Sequence, residues 1–277
     1  MLRQALVAGA LSVCLVAGLA TEASAVQQAP KSYYLALGDS IAYGFQPAKA
    51  DKGLPPSGYR TGYVDVFAKQ LRQLSPKLQV VNYACPGEST VSFVHGNCPG
   101  RGDVKGLHNP YPGTQMAAAL AFLAAHRGQV SPITITLWGN DINPVADACK
   151  GNLACIQKRA PAAVAAFESR LGDILGRLRK AAPSADIVVT GAWNFNVDAL
   201  AMTDPIFLSV DGAIRHATLE AKGRVAELYP VISPKGNPKQ ARARLCSLTF
   251  ICSKQDPHPT DAGYRAIAGA VWKAAGY

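Results

Sequence analysis

The sequence predicts an α/β protein, a doubly wound three-layer αβα sandwich built on a parallel sheet. Strand-length apolar runs alternate with helix-length patterns along most of the chain. The runs are apolar throughout, as in strands buried on both faces, where a half-exposed strand would alternate. About five such runs are visible, too few for an eight-stranded barrel.

Residues 33–37 form the first strand, closed by Gly38. Residues 63–74 read as a helix, with Val64, Phe67, Leu71 and Leu74 on one face. The second strand, 78–83, ends at Ala84-Cys85-Pro86-Gly87. An alanine-rich helix over 114–125 follows a loop carrying Pro110 and Pro112. The third strand, 133–138, ends at Gly139-Asn140-Asp141. A long helix is expected over 161–182, with Pro161 at its start, where a missing N–H costs little. The fourth strand, 187–190, ends at Gly191, and an apolar connection over 193–210 follows. A helix over 211–222, a short strand over 225–229 and a last helix over 261–275 complete the chain. In that last helix Tyr264, Ile267, Ala268, Val271 and Trp272 follow helical spacing. No internal repeat, low-complexity tract or linker interrupts the order, so residues 26–277 are expected to form one domain.

Residues 1–25 read as an export signal: Arg3, an apolar stretch over 5–20, then the A-x-A site Ala23-Ser24-Ala25. The stretch is short for a membrane span, and Thr21-Glu22 interrupt it. Leu11-Ser12-Val13 before Cys14 is a poor lipidation motif. A secreted, extracellular or periplasmic protein beginning near Val26 is expected. Of 7 cysteines, Cys14 leaves with the signal, and Cys85, Cys98, Cys149, Cys155, Cys246 and Cys252 remain. An even count suits an oxidising compartment. Their spacing groups them as 85/98, 149/155 and 246/252, three disulfides that each staple one loop. No Cys-x-x-Cys or Cys/His cluster offers a zinc site.

With 28 Lys and Arg against 18 Asp and Glu, the net charge is +10. That balance suits contact with an anionic membrane or cell-wall surface. The densest basic group, Lys235, Lys239, Arg242 and Arg244, lacks interleaved aromatics, which argues against nucleic acid.

In a parallel α/β sheet, ligands bind at the carboxyl ends of the strands. Three polar tripeptides fall there: Gly38-Asp39-Ser40, Gly87-Glu88-Ser89 and Gly139-Asn140-Asp141. Ser40 is either a helix cap or a nucleophile, and a nucleophilic serine needs a base. Among the five histidines, His126 and His216 fall on predicted helices, and His95 and His108 fall in the long loop before the alanine-rich helix. His258 differs because it lies in Asp256-Pro257-His258-Pro259. Each proline pushes the residue before it into extended backbone, where side chains two apart face the same way. Asp256 and His258 then face one side just ahead of the last helix, for which Thr260 or Asp261 would serve as cap. A carboxylate beside an imidazole can fix its tautomer and stabilise its charged form. Donors for a developing oxyanion are on hand in the Ser40 N–H, the Gly87 N–H and the Asn140 amide. Taken singly, each of these is an ordinary turn or cap residue. Asp39 reads as a turn residue.

Ser40 after Gly38-Asp39, Gly87 after the second strand, Asn140-Asp141 after the third and Asp256-x-His258 near the C-terminus resemble, in order and spacing, the four blocks of the SGNH (GDSL) hydrolases. The resemblance implies a flavodoxin-like fold and hydrolysis of carboxylic esters, with no metal or organic cofactor. It implies Ser40 as nucleophile, His258 as general base and acid, Asp256 as its orienting carboxylate, and an oxyanion hole of Ser40, Gly87 and Asn140. Trp138 stands where the third block of the family has Gly, which bears on the pocket wall and on the placing of Asn140. The G-x-S-x-G elbow, H-E-x-x-H and P-loop motifs are absent.

A monomer acting on a small-molecule or lipid ester is expected, with lipid or phospholipid acyl esters favoured by the positive charge and the apolar stretch 193–210. That stretch would form an acyl-binding wall or lid, or else simply pack beneath a long connection. An acetyl esterase of carbohydrates, an acyltransferase and a non-catalytic binding module remain as alternatives on the same fold.

Overall fold

The computed structural model describes residues 29–277. The expected signal over 1–25 and the expected start near Val26 lie outside the described residues. The elements run β1 (Tyr33–Gly38), α1 (Ser40–Tyr43), α2 (Pro47–Asp51), α3 (Tyr63–Leu74), β2 (Gln79–Asn82), α4 (Thr90–His95), α5 (Gln115–Ala125), β3 (Val130–Thr136) and α6 (Gly139–Ala148). They continue with α7 (Leu153–Ala181), β4 (Ile187–Thr190), α8 (Leu200–Glu220), β5 (Arg224–Ala226), α9 (Tyr229–Ile232), α10 (Pro238–Leu248), α11 (Ile251–Lys254) and α12 (Asp261–Ala275).

All strand pairs are parallel, in the order β2-β1-β3-β4-β5. This is the flavodoxin-like order, and its switch point lies between β1 and β3. β3 and β4 are buried along their whole length, which explains their unbroken apolar runs. Right-handed crossovers place α3 on one face and α5, α7 and α8 on the other. α12 then returns to pack on α3, and α7 packs against α5 and α8. The sheet is thus covered on both sides, with Phe67, Leu71, Ile267 and Val271 buried in one layer and Phe167, Leu171, Ile174 and Leu178 in the other.

At the switch point, Gly38 pairs with Thr136. Its φ is +126°, and a Cβ there would lie 2.1 Å from the Thr136 carbonyl oxygen. Only glycine lets β1 end this close to β3 and turn directly into α1.

Four elements depart from the sequence expectation. β3 runs from Val130 to Thr136 where 133–138 was expected, because Trp138 already leads into α6. α7 begins at Leu153, where Asn152 caps the Cys155 N–H, so Pro161 lies inside the helix. Its ring and the Gln157 carbonyl it frees both belong to exposed residues, which makes the interruption tolerable. α8 begins at Leu200 with Pro205 inside it, so most of the apolar stretch 193–210 is helix and not loop. β5 is shorter than expected, because Tyr229 already starts α9. Three disulfides close between Cys85 and Cys98, Cys149 and Cys155, and Cys246 and Cys252.

Candidate active site

Ser40 is the first residue of α1, directly past the carboxyl end of β1. Asp39 caps that helix, its carboxylate accepting from the Ile41 N–H at 2.9 Å. The short turn therefore lifts Ser40 above the sheet edge, and its own N–H, in the first turn, needs no intrahelical acceptor.

The segment bearing Asp256 and His258 is fixed from both ends. Gln255 takes the left-handed conformation that stops α11, at φ 54°. The Phe250 N–H donates to the His258 carbonyl, and Thr249 bridges Pro259. Thr260, not Asp261, caps α12, while Asp261 accepts from Gln46 and Thr61 and so ties α12 to the segments around α2. One Asp256 oxygen accepts from both the His258 backbone N–H and its Nδ1, each at 2.8 Å. A carboxylate cannot donate, so Nδ1 carries the proton and Nε2 is free to accept. Nε2 lies 2.8 Å from Ser40 Oγ, which donates to it. The Phe45 ring packs on the imidazole at 4.7 Å. Burial raises the Asp256 carboxyl, but the hydrogen bonds and charge of His258 outweigh it and hold its pKa below the ordinary value. Asp256 thus stays ionised beside the ring.

Gly87 and Asn140 approach the same point from β2 and β3. Gly87 has φ +76°, a left-handed turn residue whose N–H is unhindered by a side chain. Asn140 lies in the first turn of α6, and its Nδ2 donates to the Glu88 carbonyl at 2.9 Å. That bond uses one of its two amide protons and leaves the other for a ligand. The five residues singled out in the sequence, Ser40, Gly87, Asn140, Asp256 and His258, therefore meet at one site: Ser40, Gly87, Asn140 and His258 all border one cavity of about 290 Å³, with Asp256 directly behind His258.

Sequence reasoning missed the frame around them. Gln115, at the start of α5, accepts from the Gly38 N–H (2.6 Å) and donates to the Gly38 carbonyl (3.0 Å) and to Glu88 (2.9 Å). Glu88 is fully buried, and that burial raises its carboxyl. Asp141 accepts from the Thr90 N–H and from Arg170, joining α6 to α4 and α7. Glu88 was visible only as punctuation after β2, and Gln115 only as the second residue of the alanine-rich helix expected over 114–125. No local pattern marks either one.

Trp138 joins an aromatic cluster, edge-on to Trp193 at 5.2 Å and stacked on Phe195 at 6.1 Å. It walls the cavity, and Asn140 still reaches the site beside it. Neither His95 nor His108 lines this cavity. His108 instead donates to the Tyr43 carbonyl, and burial lowers its pKa. His216 pairs with Glu168 on the surface, and His126 stacks on Phe122.

A hydroxyl donating to an imidazole that a carboxylate holds, with N–H donors converging at the switch point of a flavodoxin-like sheet, defines an αβα hydrolase built for acyl chemistry. Residues 36–266 match the family described as the GDSL-like Lipase/Acylhydrolase family, and the chain belongs to it as a carboxylic-ester hydrolase. Solved structures agree in fold. An extracellular lipase from Streptomyces rimosus superposes with a TM-score of 0.61 at 14% identity, over 88% of this chain and 99% of that one. Phospholipase A1 from Streptomyces albidoflavus gives 0.58 at 17%, over 87% and 99%. A variant of an acetyl xylan esterase from Geobacillus stearothermophilus gives 0.54 at 14%, over 89% and 95%. No curated protein matches the chain.

Proposed function

We propose that this is an exported serine esterase acting on lipid or phospholipid acyl esters through an acyl-enzyme. The observation that carries the reading is the unbroken series of hydrogen bonds from Ser40 Oγ through His258 to Asp256, each 2.8 Å, at the edge of an aromatic-walled cavity. Ser40 Oγ attacks the ester carbonyl as His258 Nε2 takes its proton. Asp256, ionised and bonded to Nδ1, stabilises the imidazolium that forms. The Ser40 N–H, the Gly87 N–H and the free Asn140 amide proton hold the oxyanion. His258 then returns the proton to the departing alkoxide, leaving acyl-Ser40. Water, deprotonated by the same imidazole, attacks the acyl carbon, and collapse of the second tetrahedral species frees the acid and restores the Ser40 hydroxyl.

Export is supported by the leader-like residues 1–25 and by three disulfides, with residues 26–277 acting as one domain. The net charge of +10 favours an anionic lipid or cell-wall surface as the place of work.

Ser40→Ala is the direct test. It should lose at least about a thousandfold in kcat on p-nitrophenyl esters and all labelling by a fluorophosphonate probe, and His258→Ala should match it on the esters because the residues act as a unit. Ester hydrolysis that survives Ser40→Ala would remove Ser40 from the mechanism.

A further inference from the structure

Beyond the cavity at Ser40 lies a second one of about 600 Å³, and the two share Asn143 and Phe195 as a common border. Its walls come from α6 (Ile142, Ala146), the start of α7 (Leu153, Ile156) and the first turns of α8 (Met202, Ile206). Most of these side chains are apolar, and Met202 is 55% exposed at the edge, although folding ordinarily packs such groups away.

Two tethers fix the walls in place. The Asn194 amide donates to the Leu200 carbonyl and to Asp204, which pins the first turn of α8 to the segment leaving β4. The Cys149–Cys155 disulfide ties the end of α6 to the start of α7. A preformed apolar groove bordering a reactive centre fits a ligand that is apolar and attached at one end. An acyl chain, joined to the carbonyl at Ser40, has that shape.

We propose that this groove receives the acyl chain of the ester, with Phe195 at its threshold, so that the enzyme prefers medium- and long-chain acyl esters over acetyl esters. The proposal rests on Ser40 being the nucleophile and specifies the substrate for that site. The alcohol side of the ester would then occupy the first cavity, towards Phe45 and Pro257.

The test compares kcat/KM on p-nitrophenyl acetate, butyrate, octanoate and dodecanoate. Burial of each methylene should raise kcat/KM by about two- to fourfold until the groove is filled. Ala146→Phe fills the groove from α6, and Met202→Glu places a charge at its edge on an exposed position that folding tolerates. Both should lower the dodecanoate-to-acetate ratio at least about tenfold. Leu219→Ser, on the exposed far end of α8, should leave the ratio at the wild-type value. The Ser40→Ala protein should bind cis-parinaric acid, and adding Ala146→Phe should weaken that binding by a similar factor. A ratio unmoved in both groove variants, or Ser40-dependent rates flat across acyl length, would overturn the groove assignment and leave the esterase reading standing. Hydrolysis that persists at every chain length in Ser40→Ala would instead overturn the reading beneath it.

Discussion

Two aspartates near Ser40 are driven in opposite directions by their surroundings. Asp256 is held below its ordinary range by His258, while Asp39, 3% exposed, is pushed by burial up to about 7. The contrast explains why Asp256, not the sequence-adjacent Asp39, is suited to balancing an imidazolium. It also has a consequence for stability. A carboxyl whose pKa rises on folding favours the native state fully below its unfolded value of 3.8, and that contribution is lost as pH rises through about 7. Asparagine caps a helix as well as aspartate and has no charge to desolvate. Asp39→Asn should therefore match the wild type in Tm near about pH 4 and exceed it above about pH 7, with a full effect on the order of 4 kcal/mol. A Tm difference that stays constant across this range would show that Asp39 does not change its charge state there.

Gln115 is one side chain through which elements meet at the site. From the first turn of α5 it grips both backbone groups of Gly38 and the buried Glu88 carboxyl, so one amide sets the end of β1 against the turn after β2. Ser40 and Gly87 flank those two anchor points. Gln115→Leu keeps the bulk and removes all three bonds, stranding buried partners at a cost of about 1–3 kcal/mol. Displacing Ser40, the proposed nucleophile, from the proposed oxyanion donor Gly87 should lower kcat about 10- to 100-fold with KM within about twofold, beside a lower Tm. A folded variant with unchanged kcat would reduce Gln115 to a stability role.

The same junctions show what the sequence could reveal about structure. Ser40, Asp256 and His258 stood out because glycine and proline constrain the local backbone, and the structure places them in contact. Gln115 acts across the fold, 77 residues from Gly38, and leaves no local trace. The bounds expected for α12, 261–275, agree with the structure because its apolar spacing is regular, and of the two candidate caps Thr260 is the one used. The start of α7 was misplaced because Pro161, normally a boundary signal, sits on an exposed helix face where the lost bond is solvated, and that of α8 because the apolar stretch 193–210 was taken as a connection.

At the scale of the whole molecule, a charge of +10 must be reconciled with a groove that opens to solvent. Among the described residues no helix is long and apolar enough to cross a membrane. The proposed approach to a lipid surface rests on charge and on the groove edge. Several cations lie next to that edge. Lys150 and Lys254 adjoin the lining residues Gly151 and Gln255, and Arg242 donates to the Val197 carbonyl and pairs with Asp198. An anionic interface would hold this rim while an acyl chain enters between its charges, each cation adding about 1 kcal/mol near the surface. Binding to vesicles containing phosphatidylglycerol should exceed binding to pure phosphatidylcholine by at least about tenfold at low salt. It should weaken severalfold as the Debye length shrinks from about 10 Å at 0.1 M towards 3 Å at 1 M. The double charge reversal Lys150→Glu/Lys254→Glu should erase most of the difference, since each position then repels the lipid it attracted. Equal binding to neutral and anionic vesicles would assign the positive balance to solubility alone.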